Sequence, residues 1–224
     1  MIKLIKKLLK LILILFLIFI LGVYFVYNWL YPMNYKEEIL KYSSEYEIDP
    51  YLVYAIINVE SNFKTEVISG AEARGLMQIR TITADWARDY IELQDLSDED
   101  YFNPDINLKI GCWYVSKLSE MYQGDIVKIA SAYNAGVGNV SEWIEEGLEF
   151  PNDIPFEETK KYVTKVKDNM EVYKVLYGEN YTKSDAFNAG IKIIDVIYEK
   201  ASRRIKDFTK DYQTSNVGDN NEIE

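Results

Sequence analysis

The sequence contains no histidine and only one cysteine in 224 residues. Without histidine, Ser-His-Asp and Cys-His nucleophile pairs are excluded, and with a single thiol the usual Cys/His zinc sets fall away as well. Proton chemistry must then rest on carboxylic acids. Cys112 has no partner for an internal disulfide, and its neighbours Gly111, Trp113 and Tyr114 mark it as a small buried hydrophobe. No metal and no cofactor is expected.

Charge is missing from a second place. Lys3, Lys6, Lys7 and Lys10 crowd the start, and from Leu11 to Tyr35 no side chain is charged. At about 1.5 Å per residue, roughly 20 apolar residues of helix reach ~30 Å, the thickness of the hydrocarbon layer. The lysines keep the start in the cytoplasm and send the rest of the chain outside. A cleaved signal peptide should end in small residues at an Ala-x-Ala-like site, and none stands there. Tyr24, Phe25, Tyr27, Trp29 and Tyr31 suit a membrane interface instead. The expectation is an uncleaved single-pass anchor over residues 1–35, with the remainder extracytoplasmic.

Positive charge is scarce in that remainder. All 36 acidic residues lie in 36–224, with the 25 basic residues less the four N-terminal lysines, so this part carries net −15. Nucleic acid is a poor partner for such a surface. Nor does bulk charge attract an anionic polymer, so polymer recognition would need a shaped groove.

Strand alternation is also lacking, and the periodicity is helical. Asp49 predicts an N-cap with Pro50 in the first turn and Leu52, Ala55, Ile56 and Val59 on the inner face. Thr83 predicts the cap of a short helix carrying Trp86, Ala87 and Tyr90. After the acidic loop 95–100 comes a helix with Ile106, Ile110, Trp113 and Met121. Asp125 caps the next, with Ile129, Ala130 and Tyr133 inside, and Gly136 and Gly138 end it. Trp143 and Ile144 fall in another short helix. Tyr162, Val163, Val166, Met170, Tyr173 and Leu176 mark a long one that closes the domain near Gly178. The expected fold is all-α, and about 140 residues suffice for one core.

Among the carboxylates, Glu60 stands out, because it lies one turn beyond Ile56 and so shares a face with core residues. It belongs to Glu60-Ser61, the first of four motifs, followed by Gly75-Leu76-Met77-Gln78, Ala132-Tyr133-Asn134-Ala135-Gly136 and Glu158-Thr159-x-x-Tyr162-Val163. Asn103-Pro104, Asn107, Gly111 and Tyr114 lie between. In order and rough spacing, residues 37–178 resemble the family 1 lytic transglycosylases.

The resemblance implies a lysozyme-like helical domain that cleaves the N-acetylmuramic acid to N-acetylglucosamine bond of peptidoglycan without water. By the same resemblance Glu60 is the catalytic acid. Ser69, Gln78, Tyr133, Asn134 and Glu158 match cleft residues, and Met77 and Tyr162, inside the same motifs, are counted with them as substrate-binding. Typical glycosidases need two carboxylates. Here one acid would protonate the leaving oxygen and then take the proton of the muramic acid C6 hydroxyl as that oxygen attacks C1. To be protonated near neutral pH, Glu60 needs an apolar setting, for which Val59, Met77 and Tyr133 are the expected walls. The alternatives are a goose-type lysozyme-like hydrolase and a catalytically silent wall-binding scaffold.

The chain departs from the family pattern at Glu72, where glycine is usual before Ala73, and at Ile79, Arg80 and Thr81 after Gln78. Gly136-x-Gly138 reads as a turn rather than a phosphate loop. Asp95, Asp98, Glu99 and Asp100 read as a solvated loop, since their spacing is not that of a calcium hand. Beyond 178, Phe187, Ile191, Ile194, Tyr198, Ala201, Ile205 and Phe208 alternate by four and three, an amphipathic helix over 179–211. Its stripe would pack on the catalytic domain, or on a second copy or partner helix. Residues 212–224 read as a disordered polar tail.

Overall fold

The computed structural model describes residues 2–93, 96–180 and 182–218, with side chains as far as Ser202 and at Ile205. They form two compact units, residues 1–174 and 175–224. Among the described residues there is no strand, only two isolated bridges in one irregular segment.

The first unit opens with α1 (Ile2–Phe25), which runs into a π-helical turn over Val26–Leu30. Together they make a helix long and apolar enough to cross a membrane. Its side chains are exposed along its length, apart from the half-buried Val26, until Leu30 and Tyr31, which are buried. Then come α2 (Lys36–Glu45), α3 (Pro50–Glu60), α4 (Thr81–Ile91), a 3₁₀ turn (Asp98–Phe102), α5 (Pro104–Met121), α6 (Ile126–Ala135), α7 (Val137–Glu145) and α8 (Glu157–Tyr177).

Capping explains which starts were legible. The Asp49 carboxylate accepts the Tyr51 N–H with Pro50 in the first turn, and that of Asp125 accepts Val127 and Lys128 N–H. Helix α2 had no such signal: its N-cap is Tyr35, left-handed and without a side-chain cap bond, and no helix was expected there. Helix α4 begins at Thr81 behind Arg80, which makes no side-chain cap bond either. Thr83 therefore lies inside that helix, and its expected capping role is corrected. Gly136 does end α6, at φ 89°, but Gly138 falls inside α7, because the chain re-enters a helix at once.

Helix α5 is the centre of the unit, packing on α2, α4 and α6. It buries Leu108, Ile110, Cys112, Val115 and Leu118 completely. It also buries Asn107, whose amide fastens the irregular segment 61–80 to the helix. Its Oδ1 accepts the Met77 N–H at 2.8 Å, and its Nδ2 donates to the carbonyls of Arg74 (2.9 Å) and Tyr101 (2.8 Å). Two glycines admit this close approach. A Cβ on Gly75 would lie 2.3 Å from the Tyr101 carbonyl oxygen, and one on Gly111 would lie 2.2 Å from the Met77 sulfur.

Segment 61–80 is held in a conformation that side chains rarely adopt. Asn62, Phe63, Glu72 and Gln78 all have positive φ. Ser69 stabilises the turn at Glu72: its Oγ accepts the N–H groups of Ala71 (3.3 Å) and Ala73 (3.1 Å). The departure at Glu72 thus has a physical cost, since this position has the backbone that favours glycine.

The second unit holds α9 (Lys183–Gly218). Phe187, Ile191, Ile194, Ile197, Tyr198 and Ile205 are exposed along it, while the side chain of Phe208 lies outside the described residues. The helix continues past the expected end at 211 to Gly218. Of the expected tail, 219–224 lie outside the described residues, as does Asp95 of the acidic run. Asp98, Glu99 and Asp100 form the 3₁₀ turn, capped reciprocally by Ser97 and Asp100.

Two stability changes follow. Asn107→Ala strands one buried N–H and two carbonyls and should cost about 2–4 kcal/mol, read by urea unfolding of the detergent-solubilised chain. Glu72→Gly should stabilise by up to about 1 kcal/mol, strain relief outweighing the added freedom of the unfolded chain.

Candidate active site

Glu60 is the last residue of α3. Glu60 is half-buried, and its Oε1 accepts a hydrogen bond from the Tyr162 hydroxyl at 2.7 Å. Tyr162 is itself buried in α8. Two effects oppose one another at this acid: burial penalises the charged form, and the Tyr162 bond favours it. Burial is the larger, and the pKa is pushed up to about 7 from an ordinary 4.5. The acid is therefore poised to give or take a proton near neutrality.

Tyr133, from α6, donates its hydroxyl to the Met77 carbonyl at 2.7 Å. Burial, and then the nearby Glu60 charge, hold its pKa well above the usual tyrosine value. The same two causes raise Tyr162. Both phenols are thus neutral hydrogen-bonding groups. The next residue, Asn134, is exposed, and its Oδ1 accepts from the buried Thr159 hydroxyl at 2.7 Å. With that acceptor engaged, its amide N–H groups remain as donors.

Beside these residues lies a cleft of about 450 Å³. Gln78, Tyr133 and Asn134 line it, with Ile79, Arg80, Ile82, Thr83, Trp86 and Tyr114. Gln78 is held by its own Nε2, which donates to the carbonyls of Val67 (3.1 Å) and Gly75 (2.9 Å). An aromatic series leads along the wall: Trp86 stands edge-on to Tyr114 at 6.0 Å, and Tyr114 meets Tyr133 at 5.3 Å. Glu60 is not among the lining residues. It adjoins the cleft through Tyr133, whose hydroxyl feels its charge.

The remaining expected site residues have other surroundings. Met77 is fully buried, a support under Tyr133 through its backbone carbonyl. Ser69 is occupied in its turn, 3.1 Å from the Ala73 N–H. Glu158 is exposed in the first turn of α8. Trp86 and Thr159 gained no role from the sequence, whereas for Arg80 the sequence leaves open altering the cleft or pointing outward, and it lines the cleft. Arg80 is where the chain leaves the family pattern, and Trp86 could not be singled out among 4 tryptophans and 19 tyrosines. Thr159 sits inside a quoted motif, which was the available signal.

Comparison with known proteins bears on what this arrangement is. The family model for the transglycosylase SLT domain matches residues 37–153. The chain belongs to this SLT family. Among its relatives, a soluble lytic murein transglycosylase of Escherichia coli K12 is 29% identical over 167 residues, covering 71% of this chain and 26% of that protein. A membrane-bound lytic murein transglycosylase C of Photorhabdus laumondii is 35% identical over 109 residues, covering 44% and 30%. The crystal structure of the 70 kDa soluble lytic transglycosylase of Escherichia coli superposes with a TM-score of 0.63 at 29% identity, covering 66% of this chain and 25% of that one. The SLT chain thus spans between a quarter and a third of these relatives' length.

The raised Glu60 pKa makes stability depend on pH with a definite sign. The folded protein holds the Glu60 proton more tightly than the unfolded chain, so this contribution is complete below about 4.5 and is lost as pH rises through 7. Glu60→Gln never bears the buried charge. Compared with wild type, the variant should be equally stable near pH 4 and more stable at pH 8, by up to about 3 kcal/mol. Paired urea titrations at the two pH values measure the difference.

Proposed function

We propose that this chain is a membrane-anchored lytic transglycosylase that cleaves the β-1,4 bond from N-acetylmuramic acid to N-acetylglucosamine in peptidoglycan and leaves 1,6-anhydromuramoyl ends. The observation that carries the reading is a single half-buried carboxyl with a pKa of about 7, beside a cleft walled by Gln78, Tyr133 and Asn134. The relatives' names support the substrate class.

In this reading a glycan strand lies in the cleft, its sugar faces against the aromatic wall and its N-acetyl and hydroxyl groups on Gln78 and Asn134. Protonated Glu60 donates to the glycosidic oxygen, and the bond to C1 breaks as N-acetylglucosamine leaves. The resulting carboxylate, steadied by the Tyr162 hydroxyl, takes the C6 hydroxyl proton while that oxygen closes on C1. The acid is regenerated, and no water is consumed. Effective molarities of ~10⁵ M for a well-placed internal hydroxyl let ring closure outrun water at roughly 55 M. Tyr133 and Met77 keep the acid in apolar surroundings, and Ser69 holds the turn at Glu72 through the Ala71 and Ala73 N–H groups.

Helix α1 is the single span, its four lysines cytoplasmic and residues 36–178 outside, the arrangement that positive-inside charge favours. The relative named as membrane-bound supports the anchor. Helix α9 carries an apolar stripe for packing on the catalytic domain, or on a second copy or partner helix.

The detergent-solubilised chain should release anhydromuramoyl ends from purified sacculi, identified by mass spectrometry. Glu60→Gln should lower the rate at least ~100-fold, and the wild-type rate should decline above pH 7 as the acid form is lost. Reducing muramic acid ends would instead indicate a hydrolase, and no new ends with either protein would indicate a scaffold.

A further inference from the structure

The point where the apolar helix ends is also part of the catalytic unit's core. Leu30 and Tyr31 are 2% and 1% exposed. The Leu30 carbonyl accepts from Asn58 Nδ2 at 2.7 Å, and Asn169 Nδ2 donates to Asn58 Oδ1 at 3.0 Å. The Tyr31 ring meets that of Tyr173 edge-on at 5.4 Å, and the Tyr173 hydroxyl donates to the Pro32 carbonyl at 3.1 Å. Thus Leu30–Pro32 is held by α3 and α8, the two helices that carry Glu60 and Tyr162. No linker separates the span from the domain.

The lengths then fix a height. Lys10 is the last charge before the apolar run, and the 20 residues from Leu11 to Leu30 rise about 30 Å, the full hydrocarbon thickness. Trp29, exposed one residue earlier, suits the headgroup level. Leu30 therefore marks the outer edge of the bilayer. Asn58 touches its carbonyl and precedes Glu60 by two residues in one helix, so Glu60 lies within about 12 Å of that edge. Bulk charge does not hold the domain there, since residues 36–224 carry net −15; the built-in connection does.

We propose that the site acts on glycan strands lying at the outer membrane surface, of the kind still tethered to a lipid, and discriminates against mature wall beyond its reach. The inference rests on the transglycosylase reading above and adds to it which peptidoglycan is cut. A domain on a flexible tether could sweep tens of ångströms, whereas this one stays where strands leave the membrane.

The test uses the full chain in liposomes, compared with a variant carrying about 40 Gly/Ser residues between Trp29 and Leu30, a spacer of ~35 Å root-mean-square span that keeps Leu30–Pro32 with the domain. Height is read separately from activity. Lys64 is exposed and four residues beyond Glu60, and Cys112 is fully buried, so Lys64→Cys supplies the labelled thiol. Energy transfer from that label to headgroup-labelled lipid should be strong without the spacer, corresponding to about 25 Å or less, and severalfold weaker with it.

Activity is read with lipid-tethered strands in the same liposomes competing against added sacculi. The native spacing should favour tethered strands at least ~10-fold, and the spacer should narrow that preference to below ~3-fold. Equal cleavage of both substrates by the native chain, or energy transfer unchanged by the spacer, overturns the proposal. If neither chain yields anhydromuramoyl ends from either substrate while energy transfer behaves as expected, the transglycosylase reading fails and this proposal falls with it.

Discussion

Everything around Glu60 follows from the cost of removing one carboxyl from water. In solvent this acid would be ionised throughout the physiological range and could not donate a proton. At the end of α3 it is half-buried, and the single hydroxyl of Tyr162 returns only part of what hydration would give. The balance leaves a group that exchanges its proton near neutrality. The helices are the means of that burial: α3 supplies the acid, α6 the tyrosine beside the cleft, and α8 the phenol that contacts the acid.

A second constraint serves the first. The segment between α3 and α4 has to bring Met77 and Gln78 to the cleft without a helix or strand to support it. It does so through backbone bonds to one buried side chain, Asn107, and through left-handed residues that would be unfavourable alone. This is local strain sustained by the surrounding structure, of the kind that accompanies functional sites. Ser69 belongs to the same support.

Much of this was legible in the sequence. The helical period, the Asp49 and Asp125 caps and the long apolar N-terminus all appear as written, because each rests on local chemistry. The placement of Glu60 was legible too, since it continues the inner face of its helix. What escaped notice depended on distant partners. Helix α2 starts without a cap, and its buried Ile39 and Tyr42 acquire meaning only from α3 and α5. Asn107 stood in a quoted pattern, yet nothing local says that one amide will hold three backbone groups. Trp86 reaches the cleft through the course of the chain after Gln78, which no short window encodes.

The bond from Tyr133 to the Met77 carbonyl has a directional consequence. A phenol owns one proton, and here it is committed to the protein's own backbone. Toward any other neighbour the hydroxyl has only lone pairs to offer, so it can complement an amide N–H of a sugar substituent but not a carbonyl. The polarity of this point on the cleft wall is thereby fixed by the fold before any ligand arrives.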